Sequence, residues 1–75
     1  LISKHDIMVI NSNNYAPLFP YGIEVIIERV REDSGLPCKC INKFGRVTFC
    51  RKEDLRVCMM PSRDIMEKLV EIQCN

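Results

Sequence analysis

This chain is expected to be mainly β: five antiparallel strands forming a small barrel, followed by one α-helix. Three observations lead there. Residues 21–57 carry apolar runs of period two, separated by short polar turns. The runs are dense in β-branched residues, as in Ile23-Glu24-Val25-Ile26-Ile27. Beyond Pro61 the period changes, and Ile65, Leu69 and Ile72 fall at i, i+4 and i+7 of a helix.

The elements follow in order. Asp6 to Ser12 reads as the first strand, with Ile7 and Val9 on one face and Met8 and Ile10 on the other. Apolar residues on both faces call for cover on both sides, and the C-terminal segment is the candidate for one of them. Asn13 to Tyr21 is a loop, because Pro17 and Pro20 disfavour helix interiors and central strand positions. Ile23 to Arg31 is the second strand and turns at Glu32-Asp33-Ser34-Gly35. Leu36 to Asn42 is the third, with Pro37 confined to its start because it donates no ladder hydrogen bond. Asn42 to Gly45 is a tight hairpin connection leading into the fourth strand, Arg46 to Arg51. Lys52 to Leu55 reads as a single helical turn before a short fifth strand, Arg56 to Met59. The helix spans 62–74. Ser62 is its N-cap, and Asp64 sits in the first turn, where the helix dipole favours negative charge. About three turns long, it is too short to persist alone and must dock on something: its own barrel is the first expectation, a partner or a second copy the alternative.

Seventy-five residues allow one domain, here 1–75, with the barrel at 6–59 and the helix at 62–74. Hydrophobic residues make up 47% of the chain, enough for a packed core and too many for a disordered segment. Eleven basic and ten acidic residues leave a net charge of +1, so the molecule as a whole exerts little pull on polyanions. No apolar run approaches the ~20 residues of a membrane span, so no membrane partner is expected. The first residues, Leu-Ile-Ser-Lys-His-Asp, show no secretory apolar stretch and no initiator Met, which leaves room for an N-terminal extension.

The five cysteines, Cys38, Cys40, Cys50, Cys58 and Cys74, are odd in number, and four of them lie in strands or at strand ends. That favours buried thiols and a cytoplasmic or other intracellular setting over a disulfide framework. The sharper alternative is zinc on Cys38, Cys40, Cys50 and Cys58. However, Cys-x-Cys is not the spacing of a structural zinc knuckle, and neither a metal nor any other cofactor is expected. His5 is the only histidine, no glycine-rich phosphate loop exists, and no nucleophile stands beside a base, so the chain reads as non-catalytic.

Strand, long loop with aromatics and prolines, strand, strand, tight hairpin, strand, one helical turn, short strand: this order resembles the SH3-like small barrel over residues 6–59. The residues carrying the resemblance are Asp6-Ile7-Met8-Val9, Tyr21-Gly22, the hairpin at Asn42 to Gly45, and Glu53-Asp54-Leu55. It implies that the long first loop and the turn before the last strand frame a binding surface, and so points to Tyr15, Phe19 and Tyr21. The chain has no tryptophan, which the proline-peptide grooves of such barrels usually contain, so proline-rich peptides are not the expected ligand.

Two functions follow. The first is a small protein-interaction module, regulatory or inhibitory, that binds a protein partner through Tyr15, Phe19 and Tyr21, since loop aromatics make good anchors. Neither Tyr15 nor Phe19 lies in a strand, so replacing both is expected to leave the fold intact; the competing reading is that the three rings close the open end of the barrel. The alternative is a nucleic-acid-binding barrel using the basic strands 39–56. Residues 36–57 hold six basic side chains against two acidic ones, a local +4, and Lys39, Lys43, Arg46, Arg51 and Lys52 are the candidate phosphate contacts.

Overall fold

The structure is a computed structural model and describes residues 1–74. Five antiparallel strands form one sheet: β1 (Ile7–Ile10), β2 (Glu24–Val30), β3 (Cys38–Ile41), β4 (Val47–Cys50) and β5 (Leu55–Val57). A 3-10 turn, Lys52–Asp54, precedes β5, and the helix α1 (Arg63–Cys74) ends the chain. The spatial order is β4-β3-β2-β1-β5. Successive strands pair as a meander up to β4, and β5 returns to the far side of β1. The mainly β, five-stranded antiparallel expectation is met, but the sheet is not closed into a barrel: β4 and β5 stand at opposite edges and do not pair among the described residues.

Register decides what each face carries, because cross-strand partners share a face. Met8 lies opposite Val25, and Cys38 opposite Cys50. Their face holds the larger core, Met8, Ile10, Phe19, Val25, Ile27, Cys38, Cys40, Cys50 and Leu55. The other face carries Ile7, Ile26 and Ile41, themselves linked as cross-strand partners. Ile65, Leu69 and Ile72 of α1 pack on it. Of the two docking expectations, the structure shows the helix on its own sheet. Ser62 caps it, its hydroxyl accepting from the Ile65 amide at 3.3 Å. Between Ile27 and Arg29 the pairing of β2 with β3 slips by one residue, a bulge that bends β2 and changes which side chains face outward beyond it.

Two turns are fixed by side chains. Asn42 is buried, and its Oδ1 accepts from the amides of Phe44 and Arg46, both at 3.0 Å. That leaves the β3–β4 connection one available shape, with Gly45 at φ +81°, where a side chain would be strained. Gly22, at φ +91°, lets the long loop turn into β2, and its amide donates to the Ile10 carbonyl at 2.8 Å.

Candidate functional site

The long loop between β1 and β2 is anchored rather than free. Asp54, in the 3-10 turn, is buried and its carboxylate gathers two donors: the Tyr15 hydroxyl and Arg51 Nε at 3.2 Å. The same Tyr15 oxygen accepts from the Arg51 amide at 3.2 Å. The Tyr15 hydroxyl, helped by the Arg51 guanidinium, holds the Asp54 carboxyl below its ordinary range despite burial. Burial, and then the bond to Asp54, pushes the Tyr15 phenol up. This three-residue knot ties the loop to the turn before β5, and the Asn11 amide adds a bond to the Asp54 carbonyl at 2.8 Å.

The three aromatics nominated for partner binding thus separate. Phe19 is only 2% exposed and lies inside the larger core, so the expectation that it stands ready for a partner, and can be removed without harm, is corrected. Tyr15 is half-buried against that core with its hydroxyl engaged. Tyr21 alone stays open to solvent, at 57% exposure. An amphipathic loop of this composition covers the open inner face of a sheet more readily than it projects, because burying a phenylalanine stabilises by about 1.5–3 kcal/mol.

Next to Tyr21 in the chain, Gly22 and Ile23 border an open groove of about 610 Å³. Val9 and Ile65 underlie it with little exposure, Ile23, Met59 and Met60 line it, and Lys43 and Arg56 bring positive charge to it. Met59 and Met60 are 84% and 89% exposed, unusual for two adjacent thioethers. Glu24 also lines this groove but is already committed. It accepts from the Ser62 amide at 2.7 Å, the Ser62 hydroxyl and the Cys58 thiol at 3.5 Å. Burial pushes its carboxyl up, but Ser62, Cys58 and the nearby Lys43 outweigh that and hold it below its ordinary value. The groove's shape is thus pinned between β2 and the start of α1. Sequence reasoning passed over Met59 and Met60. The available signal was two methionines directly before Pro61-Ser62, where neither strand nor helix can bury both.

The five nominated basic residues do not converge. Lys43 pairs with Asp64 at 3.2 Å, Arg51 with Asp54 at 3.2 Å, and Lys52 with Glu32 at 2.6 Å. Lys39 stands 3.8 Å from Glu28. Of these five, only Arg46 makes no ion pair among the described residues. Cys38, Cys40 and Cys50 are free thiols with no exposure, as expected of core cysteines. The contact with Cys50, and then burial, pushes the Cys40 thiol up, and burial does the same to Cys38, so neither forms a reactive thiolate readily. Among the described residues no cluster of three or more His, Cys, Asp or Glu side chains is placed to hold a metal. None of their helices is long and apolar enough to cross a membrane.

Comparison with protein-family models, with curated proteins and with solved structures finds no match to this chain.

Proposed function

We propose that this chain is a small non-catalytic protein-interaction module, regulatory or inhibitory in role, that takes its protein partner in the groove beside Tyr21. The observation carrying this reading is the pair Met59 and Met60, more than four-fifths exposed at the edge of an apolar groove whose walls are fixed by hydrogen bonds. Flexible, polarizable thioethers on a rigid support adapt to apolar partner side chains. Exposed methionines also cost solvation that a partner would recover. The setting proposed is intracellular, in keeping with free buried thiols.

The architecture proposed is an SH3-like barrel left open between β4 and β5. What supports it is that β5 pairs with β1 after a 3-10 turn, while the bulge in β2 supplies the bend such a barrel needs. A nucleic-acid function spread over strands 39–56 has less support, since four of its five cations already face carboxylates.

The test is photo-crosslinking in extract of the native host, with a benzophenone side chain placed at Tyr21 or, as a control, at Phe44. A discrete adduct from Tyr21 is expected. It should be lost in the double variant Met59→Ser, Met60→Ser while thermal melting stays unchanged. An adduct that survives the double substitution, or equal labelling from Phe44, overturns the groove as the contact surface.

A further inference from the structure

A second surface lies on the same sheet face as α1, beyond the helix's cover. Arg29, Lys39 and Phe49 are cross-strand partners, Arg29 with Lys39 and Lys39 with Phe49, and so form one row across β2, β3 and β4. Phe49 is 43% exposed and belongs to neither apolar cluster, so core packing does not account for its ring. Beside it opens a cleft of about 430 Å³ bordered by Arg29, Arg31, Leu36 and Phe49, with Asp33 as its one acidic residue.

The charge around the ring is incompletely answered. Arg31 lies 3.6 Å from Asp33 and Lys39 lies 3.8 Å from Glu28, both longer than a charge-assisted hydrogen bond. Arg29 is exposed and makes no ion pair among the described residues. An exposed aromatic ring on the edge strand β4, with cations on β3 and β2 to one side of it, offers what unpaired nucleotides need. The ring stacks a base, and the cations meet the phosphates on the side toward β2. We propose that the Arg29–Lys39–Phe49 row and its cleft form a site for single-stranded nucleic acid, with one base on Phe49 and flanking phosphates at Arg29, Arg31 and Lys39. The bulge between Ile27 and Arg29 matters here, because it shifts β2 by one residue and brings Arg29 into register with Lys39.

The site stands apart from the methionine groove, and its test does not involve a protein partner. Fluorescence anisotropy with short labelled oligo-dT and oligo-rU, at low and at physiological salt, is the measurement. Binding is expected at low salt and should weaken with a log–log salt slope of about −2, as three phosphate contacts on a single strand give. Phe49→Ala should weaken binding about fivefold or more, the loss expected for one stacked base, with Phe49→Leu intermediate. Arg29→Ser should reduce the slope by about 0.7. Phe44→Ala, which removes a ring that is 73% exposed but lies outside the row, should change nothing. An abasic oligonucleotide and oligo-glutamate serve as probes of charge alone. If either binds as well as oligo-dT, the site reads only negative charge and the stacking assignment is overturned. Absence of any binding at low salt overturns it too, as do undiminished affinities for both folded Phe49 variants.

Discussion

The two faces of the sheet are covered by different means, and the contrast shows where this molecule stores stability and where it offers surface. The inner face is closed by the β1–β2 loop, which inserts Phe19 and is tied down through Tyr15 and Asp54. Its core side chains are almost wholly removed from solvent. The outer face is crossed by α1, which buries Ile65 fully but Leu69 and Ile72 only in part. On that face the helix leaves two uncovered margins, the methionine groove and the Phe49 row. A loop can be moulded over a concave core, whereas a straight helix of 12 residues touches only a stripe. Closure by a loop thus seals one face, and closure by a helix leaves the other with uncovered margins.

The sharpest way to break this contrast is to empty the loop's anchor. Phe19→Ala should destabilise by about 3–5 kcal/mol, since a large buried ring leaves a cavity that only partly collapses. Urea unfolding reads the loss directly. A cost under 1 kcal/mol would mean that the loop does not seal the inner face. On the outer face, Ile65→Ala should cost less, toward the lower end of the about 2–5 kcal/mol range for buried isoleucine, because its neighbours Leu69 and Ile72 are only partly buried and can settle into the space. Hydrogen exchange should then show α1 losing protection while β1 to β3 keep theirs. Equal loss of protection in the strands would show that the helix and the sheet form one cooperative unit.

The smallest expected effect concerns the knot. Tyr15→Phe removes one donor from a buried carboxylate and should cost about 1–3 kcal/mol near neutral pH. The pH dependence follows from the sign of the Asp54 shift. Its carboxyl is held below the ordinary value in the folded protein, chiefly by the Tyr15 hydroxyl. The stabilisation is therefore fully present above the unfolded value, about 4, and is lost as pH falls through the depressed folded value. The stability gap between the natural chain and Tyr15→Phe should narrow below about pH 4. A gap that stays constant down to acid unfolding would separate the hydroxyl from Asp54. The Tyr15 phenol, pushed up by burial, loses its contribution only as pH rises past the ordinary phenol value.

The nature and order of the elements were set by local sequence. Alternation in Ile23 to Val30, the turn at Asn42 to Gly45 and the helical spacing of Ile65, Leu69 and Ile72 each report on neighbours within a few residues, and each element lies where that pattern put it. The burial of Cys38, Cys40 and Cys50 followed from the same alternation. What the sheet and its packing decided were relations over long chain distances. Phe19 is buried because β1, β2 and β5 leave the inner face open at the loop, and Tyr15 is fixed by an aspartate 39 residues away. No periodicity in Asn13 to Tyr21 encodes either fact. The same holds for the two margins: Met59 and Met60 join Gly22 and Ile23 only after β5 returns to β1, and Arg29 meets Phe49 only through β3 and a bulge. Short-range patterns fix which residues form strands and helices, because dihedral preference and side-chain alternation act locally. Which of their side chains stay uncovered depends on where distant elements stop, and that is settled by packing.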